Sequence, residues 1–169
     1  VIRILGVDPG LRTTGYGAID VDARGARLVE AGVVAPRTDA PLERRLGELH
    51  AGFASVVASL RPDAIAIEEL WTAYKNPTTA VLMGHARGVL YLAADACGVR
   101  VRGLAHAYVK RALTGSGAAK KAQVKAIVML RLAIRTAIEP DDVSDALALA
   151  LALADAEAAE TRLARAGIA

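Results

Sequence analysis

Four carboxylates stand where ordinary folding has little use for them. Asp8 closes Val1 to Asp8, a short apolar segment rich in β-branched residues, and Glu68 follows the apolar run Ala64 to Ile67. Both segments read as buried strands, and an ionised carboxylate at such a place is costly unless something positive binds it. If the two strands are neighbours, both acids project from the same edge of one sheet. Asp142 and Asp145 lie three residues apart at the start of a helical segment, which puts them on one face and at the end where the helix dipole favours negative charge. Acids just after a proline also serve simply to start a helix, so Asp141 and Asp142 keep that plainer alternative. Asp145, followed by Ala-Leu-Ala-Leu-Ala, fits it less well. Four converging carboxylates form an all-oxygen donor set, suited to Mg²⁺ or Mn²⁺ and unsuited to zinc, which prefers nitrogen and sulfur.

Other residues carry weaker signals. The turn from Asp8 to Gly17 (DPGLRTTGYG) is glycine-rich. Such glycines either let a backbone approach a phosphate or merely permit tight turns and close packing. Trp71, the only tryptophan, sits just beyond Glu68 in a polar stretch that reads as an exposed loop. There it could stack on bases, although tryptophans more often serve as packing anchors. His50, His85 and His106 have no metal-ligand spacing, and none is assigned to catalysis. From Ala96 to Ile138 the chain has nine lysines and arginines and no Asp or Glu. This one-sidedness points to a polyanion partner, against the alternative of ordinary solvated helix faces.

The elements that must hold these residues follow from periodicity. Thr13 to Val21 and Ala26 to Val34 read as two further strands joined by the turn Asp22-Ala23-Arg24-Gly25, giving an antiparallel meander with the first strand. Leu42 to Leu60 has apolar residues at helical spacing, closed by Arg61-Pro62-Asp63. After the Ala64 strand come a helix from Pro77 to about Cys97 and a strand from Val99 to Leu104. Alternation of this kind implies parallel strands joined by crossovers. Two helices end the chain, at about Lys121 to Arg135 and Asp141 to Ala166, broken at Glu139-Pro140. The expected fold is α/β, a mixed five-stranded sheet flanked by helices.

Composition bounds the rest. The 169 residues, 54% of them hydrophobic, are enough for one sizeable core, and residues 1–169 are read as a single domain. A lone cysteine, Cys97, makes no internal disulfide, and no leader-like start is present, which points to the cytoplasm. The most apolar run, Ala146 to Ala154, falls short of the roughly 20 residues of a membrane span.

Taken together, Gly6-Val7-Asp8-Pro9-Gly10 with Thr14-Gly15-Tyr16-Gly17, Ala66-Ile67-Glu68, Gly84-His85-Ala86-Arg87-Gly88 and Asp142-Val143-Ser144-Asp145-Ala146-Leu147-Ala148 closely resemble the bacterial RuvC family of crossover (Holliday) junction endodeoxyribonucleases. The match spans nearly the whole chain. The resemblance implies an RNase H-like fold and gives the catalytic, metal-binding roles to Asp8, Glu68, Asp142 and Asp145. It further implies two Mg²⁺ ions per subunit, replaceable by Mn²⁺, with products bearing 5′-phosphate and 3′-hydroxyl ends. A homodimer acting on four-way junction DNA is implied, with a RuvA–RuvB branch-migration complex as partner. The helix around Val81 to Ala93 matches the family's dimerisation helix, where Gly84 and Gly88, one turn apart, would let a second helix approach; close packing within the subunit is their alternative. Lys110 and Lys121 match basic positions near the scissile phosphate, and Lys120, beside Lys121, is a further candidate for DNA contact. Trp71 matches a base-contacting aromatic that is usually phenylalanine, and Lys75 belongs to its loop, which has one residue more than in some relatives. The last motif has the Asp-x-x-Asp form where some relatives begin with histidine.

Two other readings compete. A junction-binding module that does not cut would keep the cations but need not keep four acids, which repel phosphate unless metal neutralises them. Another RNase H-like nuclease, acting on RNA–DNA hybrids, could use the same acids. An actin-like ATPase shares the glycine-rich turn but needs two such domains.

Overall fold

The structure is a computed structural model and describes residues 1–69 and 76–167. Three strands open the chain: β1 (Ile2–Asp8), β2 (Thr14–Asp22) and β3 (Gly25–Val34). They pair as an antiparallel meander, with Asp8 opposite Gly15 in the β1–β2 register. Helix α1 (Leu42–Leu60) leads to β4 (Ala64–Glu68), α2 (Pro77–Ala96) to β5 (Arg100–Leu104), and α3 (His106–Thr114), α4 (Lys121–Arg131) and α5 (Asp141–Arg165) follow. The sheet order is β3-β2-β1-β4-β5, with β4 parallel to both β1 and β5. The mixed five-stranded sheet expected from periodicity is therefore the one observed.

Both faces of the sheet are covered, and strand parity decides which side chains go where. Leu5, Val7, Ile65 and Ile67 enter a core with Leu49, Phe53 and Val57 of α1 and Leu90 of α2. Ile4, Ala64 and Ala66 point the other way, into a core with Val124 and Val128 of α4 and the buried run of α5. By the same parity Asp8 (after positions 4 and 6) and Glu68 (after 64 and 66) face α5. Helix α5 lies almost against the sheet backbone because the strands beneath it carry glycine. A Cβ on Gly6 would stand 1.8 Å from the Ala146 carbonyl oxygen, and one on Gly17 would stand 2.4 Å from Leu147 Cδ2.

Two elements differ from expectation. Helix α3 is not among the expected elements: it is only nine residues long and has no side-chain N-cap to mark its start. Helix α4 stops at Arg131, four residues before the expected Arg135. Ala133, at φ 52°, lies in the left-handed region, where a helix cannot continue. Among the described residues no helix is long and apolar enough to cross a membrane.

Candidate active site

The carboxylates meet because of three features of register. Strands β1 and β4 are neighbours, with Val7 paired to Ile67, so one further step brings Asp8 level with Glu68. Across the sheet from Asp8 lies Gly15, whose absent side chain makes room for the first turn of α5: a Cβ there would stand 2.2 Å from the Asp142 carbonyl oxygen. The helical spacing then puts Asp145 on the same side as Asp142.

Their proximity shows in the chemistry of Asp8, which is half-buried. Burial first, then the charges of Glu68, Asp145 and Asp142, push its carboxyl from the ordinary 3.8 up to about 8, against the opposing pull of Lys121. All three other acids therefore lie within electrostatic reach of it. No three His, Cys, Asp or Glu side chains among the described residues are drawn together tightly enough to form a ready metal cage. Two of the acids hold other partners instead. Asp145 accepts an ion pair from Lys121 Nζ at 2.8 Å, and Glu68 Oε1 lies 2.6 Å from His106 Nδ1. The donors are carboxylate oxygens throughout, which fits a hard divalent cation.

A cavity of about 100 Å³ opens beside these acids, lined by Glu68, His106, Lys110, Lys121 and Asp145 together with apolar residues of α3, α4 and α5. Lys110 and Lys121 thus reach the acidic edge from α3 and α4. The Lys121 ammonium is held above its usual range: burial works against the charge, and the bonds to Asp145 and Asp141 outweigh it. Asp141 acts as a clamp, 3.0 Å from Lys125 and 3.4 Å from Lys121. Its carboxyl lies below the usual range, chiefly through the Lys125 bond and then through Lys121. Lys120 is exposed at the cap of α4, where its N–H donates to Gln123 Oε1 at 2.8 Å.

The remaining candidates are more dispersed. Trp71 and Lys75 lie outside the described residues. Gly84 is half-buried on α2, and Gly88 is exposed, with open space where a Cβ would go. In the glycine-rich turn, Gly15 and Gly17 follow the packing alternative, since α5 fills the space above them. Thr14, fully buried, ties the turn shut: Gly10 N–H donates to its Oγ1 at 3.1 Å and the hydroxyl donates to the Gly10 carbonyl at 2.7 Å.

The one-sided basic stretch is also corrected by the fold. Arg100 and Arg102 pair with Glu157 and Glu160, Arg131 with Asp155, Lys125 with Glu139 and Asp141, and Lys121 with Asp145. Much of that charge is matched by acids brought in from α5 and the turn before it. His106, assigned no role from sequence, proves to touch Glu68. No local spacing could have revealed it, because the two residues are 38 positions apart.

With this geometry in view, comparison with known proteins is direct. The family model described as "Crossover junction endodeoxyribonuclease RuvC" matches residues 4–153. The protein of that name from Rhodopirellula baltica is 45% identical over 145 residues, covering 86% of this chain and 82% of the relative. The Thermus thermophilus RuvC structure superposes with a TM-score of 0.87 at 34% identity, covering 95% of this chain and 98% of that one. T. thermophilus RuvC in complex with Holliday junction substrate gives 0.83 at 32% identity, covering 99% and 98%. The sheet order, the carboxylates at its edge and these likenesses agree on an RNase H-like nuclease fold, and the chain belongs to the RuvC family of crossover junction endodeoxyribonucleases.

Proposed function

We propose that this chain, as one nuclease unit over residues 1–169, resolves Holliday junctions in DNA recombination and repair by paired, symmetric nicks that leave 5′-phosphate and 3′-hydroxyl ends. The observation that carries the reading is the convergence of Asp8, Glu68, Asp142 and Asp145 on one sheet edge with two lysines beside them. A fold has no structural need to gather four carboxylates at the cost seen at Asp8. Two cations relieve that cost, and Mg²⁺ suits the oxygen donors, with Mn²⁺ as a substitute.

Asp8, Glu68, Asp142 and Asp145 would hold the ions. Divalent cations held there would supply Lewis acidity and a nucleophilic water for hydrolysis of the scissile phosphodiester. Asp8 must give up the proton it holds up to about pH 8 before it can ligate. Lys121 must exchange Asp145 for the phosphate, which leaves it, with Lys110, facing the backbone to be cut. Both ammonium groups would bind and orient that phosphate, with Lys120 beside them at the cap of α4.

Two active sites are needed for paired nicks, and α2 supports a homodimer. Val81 and Leu92, 58% and 60% exposed, fall in one stripe with exposed His85 and Gly88, at spacings of four and three residues. Apolar residues at such spacing are out of place facing water and suit a second helix, with Gly84 and Gly88 allowing close approach. Trp71 and Lys75, which follow β4 in the sequence, are proposed to meet DNA. A RuvA–RuvB-type branch-migration complex in the cytoplasm is the proposed setting.

The deciding experiment is cleavage of an end-labelled four-way junction in Mg²⁺, Mn²⁺ or EDTA, by wild type and Asp8→Asn, beside linear duplex and RNA–DNA hybrid. Paired, ligatable nicks confined to the junction and abolished by EDTA or Asp8→Asn are expected. Binding without cutting under every metal would make the chain a junction-binding module. Preferential cutting of the hybrid would place its substrate elsewhere in the RNase H-like group.

A further inference from the structure

His106 stands outside the acidic motif, yet the fold delivers it to Glu68 by backbone register. Strand β4 pairs with β5 so that Glu68 is opposite Leu104, and Glu69 N–H donates to the Leu104 carbonyl at 3.0 Å. Two residues on, His106 opens α3 with its Nδ1 2.6 Å from Glu68 Oε1. A carboxylate only accepts, so the proton of this bond belongs to Nδ1 whether the ring is neutral or charged. At that length the bond is charge-assisted and strongly orienting. It occupies Oε1 of Glu68 and does not engage Oε2, and Glu68 lines the cavity shared with Asp145, Lys110 and Lys121.

We infer that His106 is a positioning residue for Glu68: its Nδ1–H fixes the carboxylate rotamer so that a single oxygen, Oε2, is presented to a divalent cation. The inference rests on the proposed metal role of Glu68. Without the histidine, Glu68 is free to rotate, and ordering it must be charged against cation binding. Partners of this kind behind a metal-binding group are typically worth about 10- to 100-fold in affinity. The His106 side chain is 57% exposed, so trimming it leaves the core untouched.

The test is Mn²⁺ binding to the full chain without DNA, read from loss of the free-ion EPR signal, with circular dichroism to show that each variant is folded. His106→Ala is expected to weaken the Glu68-dependent site about tenfold. His106→Asn, whose amide N–H lies near the position of the imidazole Nδ1–H, recovers most of that loss. In a Glu68→Gln background His106→Ala adds nothing further, because the histidine acts only through Glu68. Unchanged or tighter binding by His106→Ala overturns the inference, as does an Asn variant no better than Ala, or losses that simply add in the double variant. If wild type binds Mn²⁺ with none of its affinity lost in Glu68→Gln, the metal role of Glu68 fails first and the inference falls with it.

Discussion

Replacing Asp8 by asparagine should stabilise the metal-free protein while abolishing cleavage, and the gain should grow with pH. The unfolded chain releases the Asp8 proton near the ordinary 3.8, whereas the folded chain holds it up to about 8 because of burial and the charges of Glu68, Asp145 and Asp142. Between those values the folded state binds the extra proton, so wild-type stability falls as pH rises through this window. Below about pH 4 the group costs nothing; above about 8 the whole penalty is present. One pH unit is worth about 1.4 kcal/mol, so the interval from 3.8 to about 8 sets a ceiling of about 6 kcal/mol. Water entry and relaxation around a half-buried group at a sheet edge lower this, and a gain of about 2–3 kcal/mol at pH 8.5 is expected. Asparagine has the shape of the protonated acid and, like it, carries no charge, and the other titrating groups are common to both proteins. Urea unfolding in EDTA at intervals from pH 4.5 to 9 gives the difference directly. It should be smallest at the acid end, about 1 kcal/mol, and rise to a plateau, and Mg²⁺ should shrink it by stabilising wild type alone. A difference that is flat with pH, or an asparagine variant less stable at pH 8.5, would refute the electrostatic account of the site.

Two further outcomes test the scaffold and the assembly. Gly15→Ala should cost about 1–3 kcal/mol or more in unfolding free energy, since its Cβ would meet the Asp142 carbonyl at 2.2 Å, and it should depress cleavage further than stability by lifting Asp142 away from Asp8. Leu92→Glu, which puts charge into the exposed stripe of α2, should leave thermal stability nearly unchanged. By light scattering it should shift a dimer to monomer, with single nicks replacing paired ones.

Most of the elements, and the faces they bury, are legible in the sequence alone. Val1 to Asp8 and Ala64 to Ile67 announce strands through their apolar, β-branched composition. The nine residues from Ala146 to Ala154 announce a buried helix, Asp8 and Glu68 stand out because each closes an apolar run, and Asp145 because it directly precedes one, with Asp142 three residues before it. These signals are local: periodicity is written in neighbouring residues, and so it can be read from them. What lies between elements is not written that way. The adjacency of β1 and β4, which brings Asp8 level with Glu68, depends on sheet order. The role of Gly15 depends on α5 crossing above it, more than 120 positions later in the chain. The stretch from Ala96 to Ile138 reads as uniformly basic, yet the tertiary structure supplies acids from α5 and Glu139 to five of its nine cations. His106 shows the limit most clearly. As one histidine at the start of a nine-residue helix without a side-chain N-cap it carries no local signature, and only the β4–β5 register sets its Nδ1 against Glu68. Charge and hydrogen bonding act over a few ångströms of space, whatever the separation along the chain, so the partners of these groups are decided by the fold alone.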